Sequence, residues 1–260
     1  MSRRESAARR VWLGTRGWAL PALLLAGWQW ASRQRGAWAY AFAPLDGVVR
    51  ALLAVIDSGE LQANLLATGR MALCGLLLGG TLGMAFGAAL GSSRIFERLF
   101  GAPYHALRQV PLLGWIPLLG LWFGQGDTAR LIVVSLASFY PLVLNTSDAF
   151  RHVDPNQLEV ARVLGLSRTQ QIRYLLVPQA LPSILTGWAQ ALAFCWVATV
   201  GSELLFGAPK GIGGMMQVAQ NGSRMDIVVL CMACIGLVGF VANAGVGRLR
   251  DRLLRWRPTR

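Results

Sequence analysis

The chain has 260 residues, of which 54% are hydrophobic and only 14% are charged, and its mean hydropathy is +0.46. Soluble domains carry about 25% charged residues, so this composition indicates a membrane protein. The formal charge is +13, but the basic residues lie in short segments between apolar runs, which argues against a nucleic-acid partner. The four cysteines lie inside apolar runs without further ligands nearby, so no metal site is expected.

The amino-terminal part holds an apolar run, 17–31, that follows an arginine-rich segment and carries tryptophans near its ends. It fits a retained first membrane span with an aromatic belt. It also fits a cleavable signal peptide with small residues near Ala39 and Ala41. The retained span is favoured because the rest of the chain is itself embedded in the membrane. A short amphipathic helix is predicted over 45–56.

A second span is predicted over 71–93, where 23 residues without a charge are long enough to cross a bilayer. Within it, glycine recurs at every fourth residue: Gly75, Gly79, Gly83, Gly87 and Gly91. This spacing places the five glycines on one helix face, where another backbone can approach closely. Packing within the same helix bundle is the favoured interpretation, and a contact between subunits is the alternative.

Four further apolar runs predict spans over 110–123, 131–147, 184–202 and 227–247. Pro111 and Pro117 interrupt the first of these runs, and Pro141 lies inside the second. Carbonyls freed by proline are tolerated in a membrane where neighbours or a water-filled cavity satisfy them. The predicted fold class is therefore an all-α, polytopic membrane protein with six transmembrane helices.

The basic residues are distributed unequally between the two sides of these spans. With the amino terminus inside, the inner segments hold 18 of the 25 basic residues and the outer segments hold six, while Arg70 is unassigned. The positive-inside rule then predicts that both termini are cytoplasmic. It also places the polar segment 159–182 in the cytoplasm.

Segment 159–182 has a helical pattern that is broken at Gly165 and again at Pro178. Asp154 followed by Pro155 predicts the start of a short helix, and Ser167 is a candidate cap for a second one. Glu159 and Arg162 are spaced to pair with each other or with a partner protein. These features predict a small docking element.

This segment resembles the EAA loop of bacterial ABC-importer permeases of the binding-protein-dependent type. The matching positions, with conservative departures at Val160, Leu175 and Val177, are Glu159, Val160, Ala161, Gly165, Leu175, Val177 and Pro178. The resemblance extends over 61–256. Within it, the strings WIPLLGLWFG at 115–124 and FYPLVLNT at 139–146 are similar to the subgroup that imports sulfonates, taurine and nitrate.

The resemblance implies the fold of a type I ABC-importer permease, which imports a solute from the periplasmic or extracellular side by alternating access. It further implies a coupling helix at 159–165 and two copies of an ATP-binding subunit. The other implied partners are an extracytoplasmic solute-binding protein, a second permease copy in a homodimer, and the lipid of a bacterial inner membrane. Aliphatic sulfonate is the first substrate candidate, and nitrate, taurine, bicarbonate or a thiamine precursor are alternatives.

The implied domain division is an amino-terminal part with the first span, 1–60, a permease domain, 61–250, and a basic cytoplasmic tail, 251–260. No P-loop is present, because the only lysine, Lys210, is followed by Gly211. ATP and magnesium therefore belong to the partner subunit, and this chain is expected to have no catalytic residues and no cofactor. A membrane-embedded enzyme would need clustered His, Asp or Glu, and an ATP-independent channel would need no docking loop.

Candidates for the translocation path are the polar residues within or at the ends of spans: Asn145, Thr199, Ser202 and Glu203. Glu203 has two open interpretations, since it stands either at membrane depth as a functional charge or at the interface as a solvated group. Arg70 and Arg130 are candidates for attracting an anion, although positioning by the membrane interface is the favoured interpretation for both.

Overall fold

The computed structural model describes residues 20–34, 42–152 and 155–254, without the side chains at 155, 156, 158, 162 and 168. These described residues form helices and no strand. In chain order the helices are α1 (20–32), α2 (Leu45–Asp57), α3 (Glu60–Ser92), α4 (Arg94–Leu107), α5 (Ile116–Phe123), α6 (Asp127–Arg151), α7 (Pro155–Val163), α8 (Arg168–Gln171), α9 (Val177–Leu205), α10 (Ile212–Asn221) and α11 (Met225–Leu253).

Among the described residues, four helical segments are long and apolar enough to cross a membrane, or five if a bent pair, Arg94–Leu107 with Leu112–Phe123, forms one span: the four are α3, α6, the segment Thr169–Leu205 and α11. They contain the second, fourth, fifth and sixth predicted spans, so the all-α polytopic fold class is confirmed. The first predicted span begins outside the described residues. The 13 residues of α1 cover about 20 Å at 1.5 Å per residue, and this span stays a prediction.

The third predicted span, 110–123, is not one straight helix. A 3-10 turn at Leu112–Trp115 and α5 form one arm, which meets α4 at an angle of 91°. Pro111 stands at the bend, because it lacks an N–H and disfavours helical geometry in the preceding residue. Pro117 does not interrupt a helix, since it lies in the first turn of α5, where proline is tolerated.

Pro178 likewise does not break its helix, which corrects the predicted break at this position. Residues 172–176 form a π-helical turn in which the N–H of Val177 donates to the carbonyl of Ile172. Pro178 follows in the first turn of α9, where its missing N–H is tolerated. The resulting 37-residue helical segment is about 56 Å long, which exceeds the ~30 Å hydrocarbon core of a bilayer.

The central packing interface joins α3 to α6, and the glycine face of α3 forms it. A Cβ atom at Gly79 would lie 1.9 Å from the carbonyl oxygen of Ser135, and at Gly83 it would lie 2.7 Å from that of Phe139. The five predicted glycines, Gly75, Gly79, Gly83, Gly87 and Gly91, all meet α6 in this way. Their face is therefore occupied within the same chain.

Candidate coupling and translocation sites

The segment that resembles the EAA loop forms α7 and a tight turn. Gly165 has φ +67°, in the left-handed region that favours glycine. The N–H of Leu166 donates to the carbonyl of Ala161 at 3.0 Å, which is the hydrogen bond of a Schellman motif with Gly165 directly after the helix end. Ala161 is only 4% exposed. Glycine and alanine are therefore required here by the local backbone and by packing.

A second short helix follows the turn, as the sequence predicts from Ser167. The Ser167 Oγ accepts from the N–H of Gln170 at 3.4 Å, and the Gln170 side chain accepts from the N–H of Ser167 at 2.8 Å. This reciprocal pair is a capping box. Gln157 on α7 accepts a hydrogen bond from Gln179 on α9, so α7 is attached directly to the start of the long helical segment.

The outer side of α7 is apolar, although the surrounding segment is polar. Val160, Val163 and Leu164 are 58%, 87% and 70% exposed; together we call them the α7 patch. Glu159 beside them is exposed as well. The predicted Glu159–Arg162 pair lies outside the described side chains. An exposed apolar cluster with a charged neighbour is typical of a surface that contacts another protein.

The remaining residues of the motif lie where α9 begins. Leu175 is in the π-helical turn, and Val177 and Pro178 form the first turn of α9. Val177 is 45% exposed. The motif thus spans two elements, α7 and the start of the long helical segment that continues into α9.

A cavity of about 390 Å³ lies where the bend between α4 and α5 meets α6 and α9. Its polar lining comes from Arg108, Gln109, Tyr140 and Gln190. Pro141 and Ala137 also line the cavity. Because Pro141 has no N–H, the carbonyl of Ala137 lacks its usual partner in the helix. The cavity, which we call the central cavity, opens to the surface of the chain, and its polar groups and freed carbonyl mark it as a candidate passage for a polar solute.

Asn145 is the predicted path residue that lies beside the central cavity. Its Nδ2 donates to the Pro141 carbonyl at 2.8 Å and to the Gln190 Oε1 at 2.9 Å, and both partners line the cavity. Sequence analysis did not single out Arg108 or Gln190. They are far apart in the chain. Only Pro141, which frees a backbone carbonyl inside a predicted span, indicated that polar groups would lie nearby.

Thr199 and Ser202 do not line the central cavity. The Thr199 hydroxyl donates to the Cys195 carbonyl and the Ser202 hydroxyl donates to the Thr199 carbonyl, each at 2.8 Å. Both residues are fully buried. Their hydroxyls are accounted for by hydrogen bonds within α9.

Glu203 is 1% exposed, which excludes the solvated interfacial position. Its Oε2 accepts from the Thr68 hydroxyl at 3.0 Å and from the Gly213 N–H at 2.9 Å. Thr68 in turn accepts from the N–H of Ile212, and Asn64 accepts from that of Gly211, each at 2.8 Å. Three residues of α3 and α9 therefore satisfy the free N–H groups at the start of α10.

The sequence model for the binding-protein-dependent transport system inner membrane component matches residues 79–255. The chain belongs to this family. The match contains α7, the π-helical turn and the polar residues of the central cavity, so these two candidate sites lie within the shared region of the family. A transport component of this kind is a permease subunit.

Relatives with transport names are similar over most of the chain. A protein of Escherichia coli named as an aliphatic sulfonates transport permease is 35% identical over 241 residues, which are 93% of this chain and 91% of the relative. The taurine transport system permease protein of the same organism is 32% identical over 174 residues, which are 67% of this chain and 63% of the relative.

The fold is shared with solved transporters. The crystal structure of an amino acid ABC transporter with histidines contains a chain that superimposes with a TM-score of 0.62 at 19% identity. The alignment covers 79% of this permease and 98% of that chain. At this identity the similarity shows the permease fold alone.

Proposed function

We propose that this permease is the membrane subunit of an ATP-driven importer of small anions, with an aliphatic sulfonate as the first substrate candidate. Two ATP-binding subunits dock on the α7 patch of a permease homodimer, and an extracytoplasmic binding protein delivers the solute. Both termini are cytoplasmic in a bacterial inner membrane. Import proceeds by alternating access, with the central cavity on the path.

The observation that carries the proposal is the α7 patch on a helix that is hydrogen-bonded to α9 through Gln157 and Gln179. Val163 and Leu164 are strongly exposed, and they belong to a segment that, in this topology, lies outside the bilayer. Exposed apolar side chains in water favour a protein partner. Since the chain has no P-loop, a nucleotide-binding subunit is the partner that an ATP-driven transporter requires.

The substrate class is supported by relatives and by charge. Relatives named for sulfonate and taurine transport share 35% and 32% identity with this permease, and both of those solutes carry a sulfonate group. Arg108 lines the central cavity beside two glutamines, and arginine suits recognition of an oxyanion. Nitrate, bicarbonate and a thiamine precursor remain the alternative solutes.

The test compares cells that lack this gene with cells complemented with it. Uptake of labelled ethanesulfonate, taurine and nitrate is measured in both. We expect deletion to abolish uptake of at least one of these anions and the wild-type gene to restore it. Uptake should stop when cellular ATP is depleted. Unchanged uptake of every anion after deletion would show that the proposed transport function is wrong.

The coupling role is tested with two substitutions at one site. No atom lies within 4 Å of a Cβ at Gly165, so a side chain there is opposed only by the backbone conformation. Gly165→Asn should retain most uptake because asparagine tolerates the left-handed region, whereas valine does not. We expect Gly165→Val to reduce uptake at least tenfold at equal membrane content. Full uptake by Gly165→Val would contradict the coupling role.

A further inference from the structure

A second cavity, of about 520 Å³, lies at the end of the bundle where α10 begins, and we call it the basic pocket. Three of its lining residues are cationic: Arg70 on α3, Arg130 on α6 and Lys210 in the loop before α10. These residues are far apart in sequence, and only the fold brings them to one cavity. Lys210 is also the only lysine of the chain.

Arg130 is the deepest of the three cations, with its side chain only 8% exposed. One terminal nitrogen pairs with Asp127, yet the buried Nε has no hydrogen-bond partner among the described residues. Glu203 does not fill this gap, because no hydrogen bond joins it to Arg130 among the described residues and its Oε2 accepts from Thr68 and Gly213. A buried N–H without a partner is costly, and Arg130, whose Nε lacks one, lines this pocket.

Arg70 and Lys210 are exposed at the cavity and form no ion pair with a carboxylate in the described part of the chain. Arg50 and Arg224, by contrast, are each paired with a neighbouring aspartate at 2.8 and 2.9 Å. The only carboxylate that lines the pocket belongs to Asp127. The pocket therefore keeps an excess of positive charge.

The pocket also has an apolar side, to which Met71 and Leu131 contribute. Cations beside apolar side chains suit a ligand that has an anionic head and a short aliphatic part. We infer that the basic pocket binds the oxyanion head group of such a ligand, with Arg130, Arg70 and Lys210 as its donors. The inference extends the proposed function, because this end of the bundle faces the side from which the solute arrives.

An oxyanion head group has two sources here, a free alkanesulfonate or the phosphate of an anionic lipid. The experiment uses the full-length permease in nanodiscs of phosphatidylcholine, with and without phosphatidylglycerol. Binding of ethanesulfonate is measured by saturation-transfer NMR in the lipid-neutral discs. Native mass spectrometry counts the phosphatidylglycerol retained from the mixed discs. Dimethyl sulfone, which has no charge, is the ligand control.

The variants are Arg70→Gln and Lys210→Gln, which remove exposed charges and leave buried Arg130 in place. Arg50→Gln is the matched control, because it removes one arginine of α2 that does not line the pocket. We expect each of the two pocket variants to weaken binding of the head group at least tenfold. Arg50→Gln should bind it as the wild type does, and dimethyl sulfone should not bind.

The outcomes separate the two sources and test the site itself. Loss of the ethanesulfonate signal in the pocket variants identifies a soluble anion, and loss of retained phosphatidylglycerol alone identifies a lipid; either result supports the site. If all variants bind both ligands equally, the proposed site is wrong. It is also wrong if the wild type binds neither ligand. If cells import an anion while the pocket variants bind and import it normally, the pocket inference fails and the proposed function stands.

Discussion

At the scale of single residues, Glu203 shows how a charged group inside the bundle serves the fold. Its carboxylate stands at the amino end of α10, where free N–H groups and the helix dipole favour negative charge. A Cβ at Gly211 would lie 2.4 Å from the Glu203 Cδ, and Gly211 has φ +127°. Gly211 is therefore the residue that allows the carboxylate to approach this helix end.

The prediction for Glu203 separates hydrogen bonding from charge. In Glu203→Gln the amide oxygen accepts from Thr68 and Gly213 as the carboxylate does, so the thermal midpoint should fall less than in Glu203→Leu. In Glu203→Leu both buried donors lose their acceptor, at a cost of about 1–3 kcal/mol each. The measurement is thermal unfolding of the permease in nanodiscs.

Anion uptake by the same two variants decides the role of Glu203. We expect Glu203→Gln to transport at a rate close to that of the wild type. If Glu203→Gln folds with an unchanged midpoint but does not transport, the negative charge itself takes part in translocation, and the structural role described above is incomplete.

Gly165 shows what the sequence revealed at this scale. A glycine after a short helical pattern predicts a turn, and the left-handed φ and the Schellman hydrogen bond agree with it. The partners of Glu203 were not predictable. Thr68 is 135 positions away in the chain, and no local pattern connects two residues across such a distance.

At the scale of elements, glycine spacing and apolar length predicted α3 and its close-contact face. They did not predict the bend at Pro111 or the π-helical turn before Pro178. A proline in a sequence marks a missing N–H, but whether the chain bends there depends on the neighbouring backbone. Pro117 and Pro178 lie in first turns of helices, whereas Pro111 precedes a 91° bend.

The prediction for α3 compares two glycines of the same helix. A Cβ at Gly79 would overlap the backbone of α6, but nothing lies within 4 Å of a Cβ at Gly69. Gly79→Ala should therefore force α3 and α6 apart, with an overpacking cost of about 1–3 kcal/mol. Gly69→Ala should be neutral or stabilise the helix by about 0.5–1 kcal/mol.

Thermal unfolding and the yield of monodisperse permease measure this difference. Equal midpoints for Gly79→Ala and Gly69→Ala would contradict the tight α3–α6 interface. Because both substitutions add one methyl group to one helix, a general effect of alanine on helix propensity cannot account for a lower midpoint in Gly79→Ala alone.

At the scale of the whole molecule, α9 runs from the coupling segment past the central cavity. Gln179 near its start donates to Gln157 of α7, Gln190 midway along it lines the central cavity, and Glu203 lies near its last turn. The sequence predicted the ends of this arrangement, a docking loop and a charged residue. The cavity between them could not be predicted, since its lining is assembled from three separate segments.

The length of this helical segment leads to a prediction about topology. Since Thr169–Leu205 is about 56 Å long, the α7 patch at its start and α10 beyond its end must lie on opposite sides of a ~30 Å hydrocarbon core. The excess of basic residues predicts that the α7 side is cytoplasmic. A membrane-impermeant maleimide added to intact cells should therefore label Asn221→Cys and not Val163→Cys in a permease without its native cysteines.

Permeabilised cells that express the permease without an ATP-binding subunit provide the control, because both positions are exposed in the structure and should then react equally. Labelling of Val163→Cys alone in intact cells would reverse the orientation and remove the α7 patch from its proposed partner in the cytoplasm. Labelling of both positions in intact cells would mean that the long helical segment does not cross the membrane. Either result would overturn the assignment of α7 as the coupling helix, since an ATP-binding subunit reaches only the cytoplasmic side.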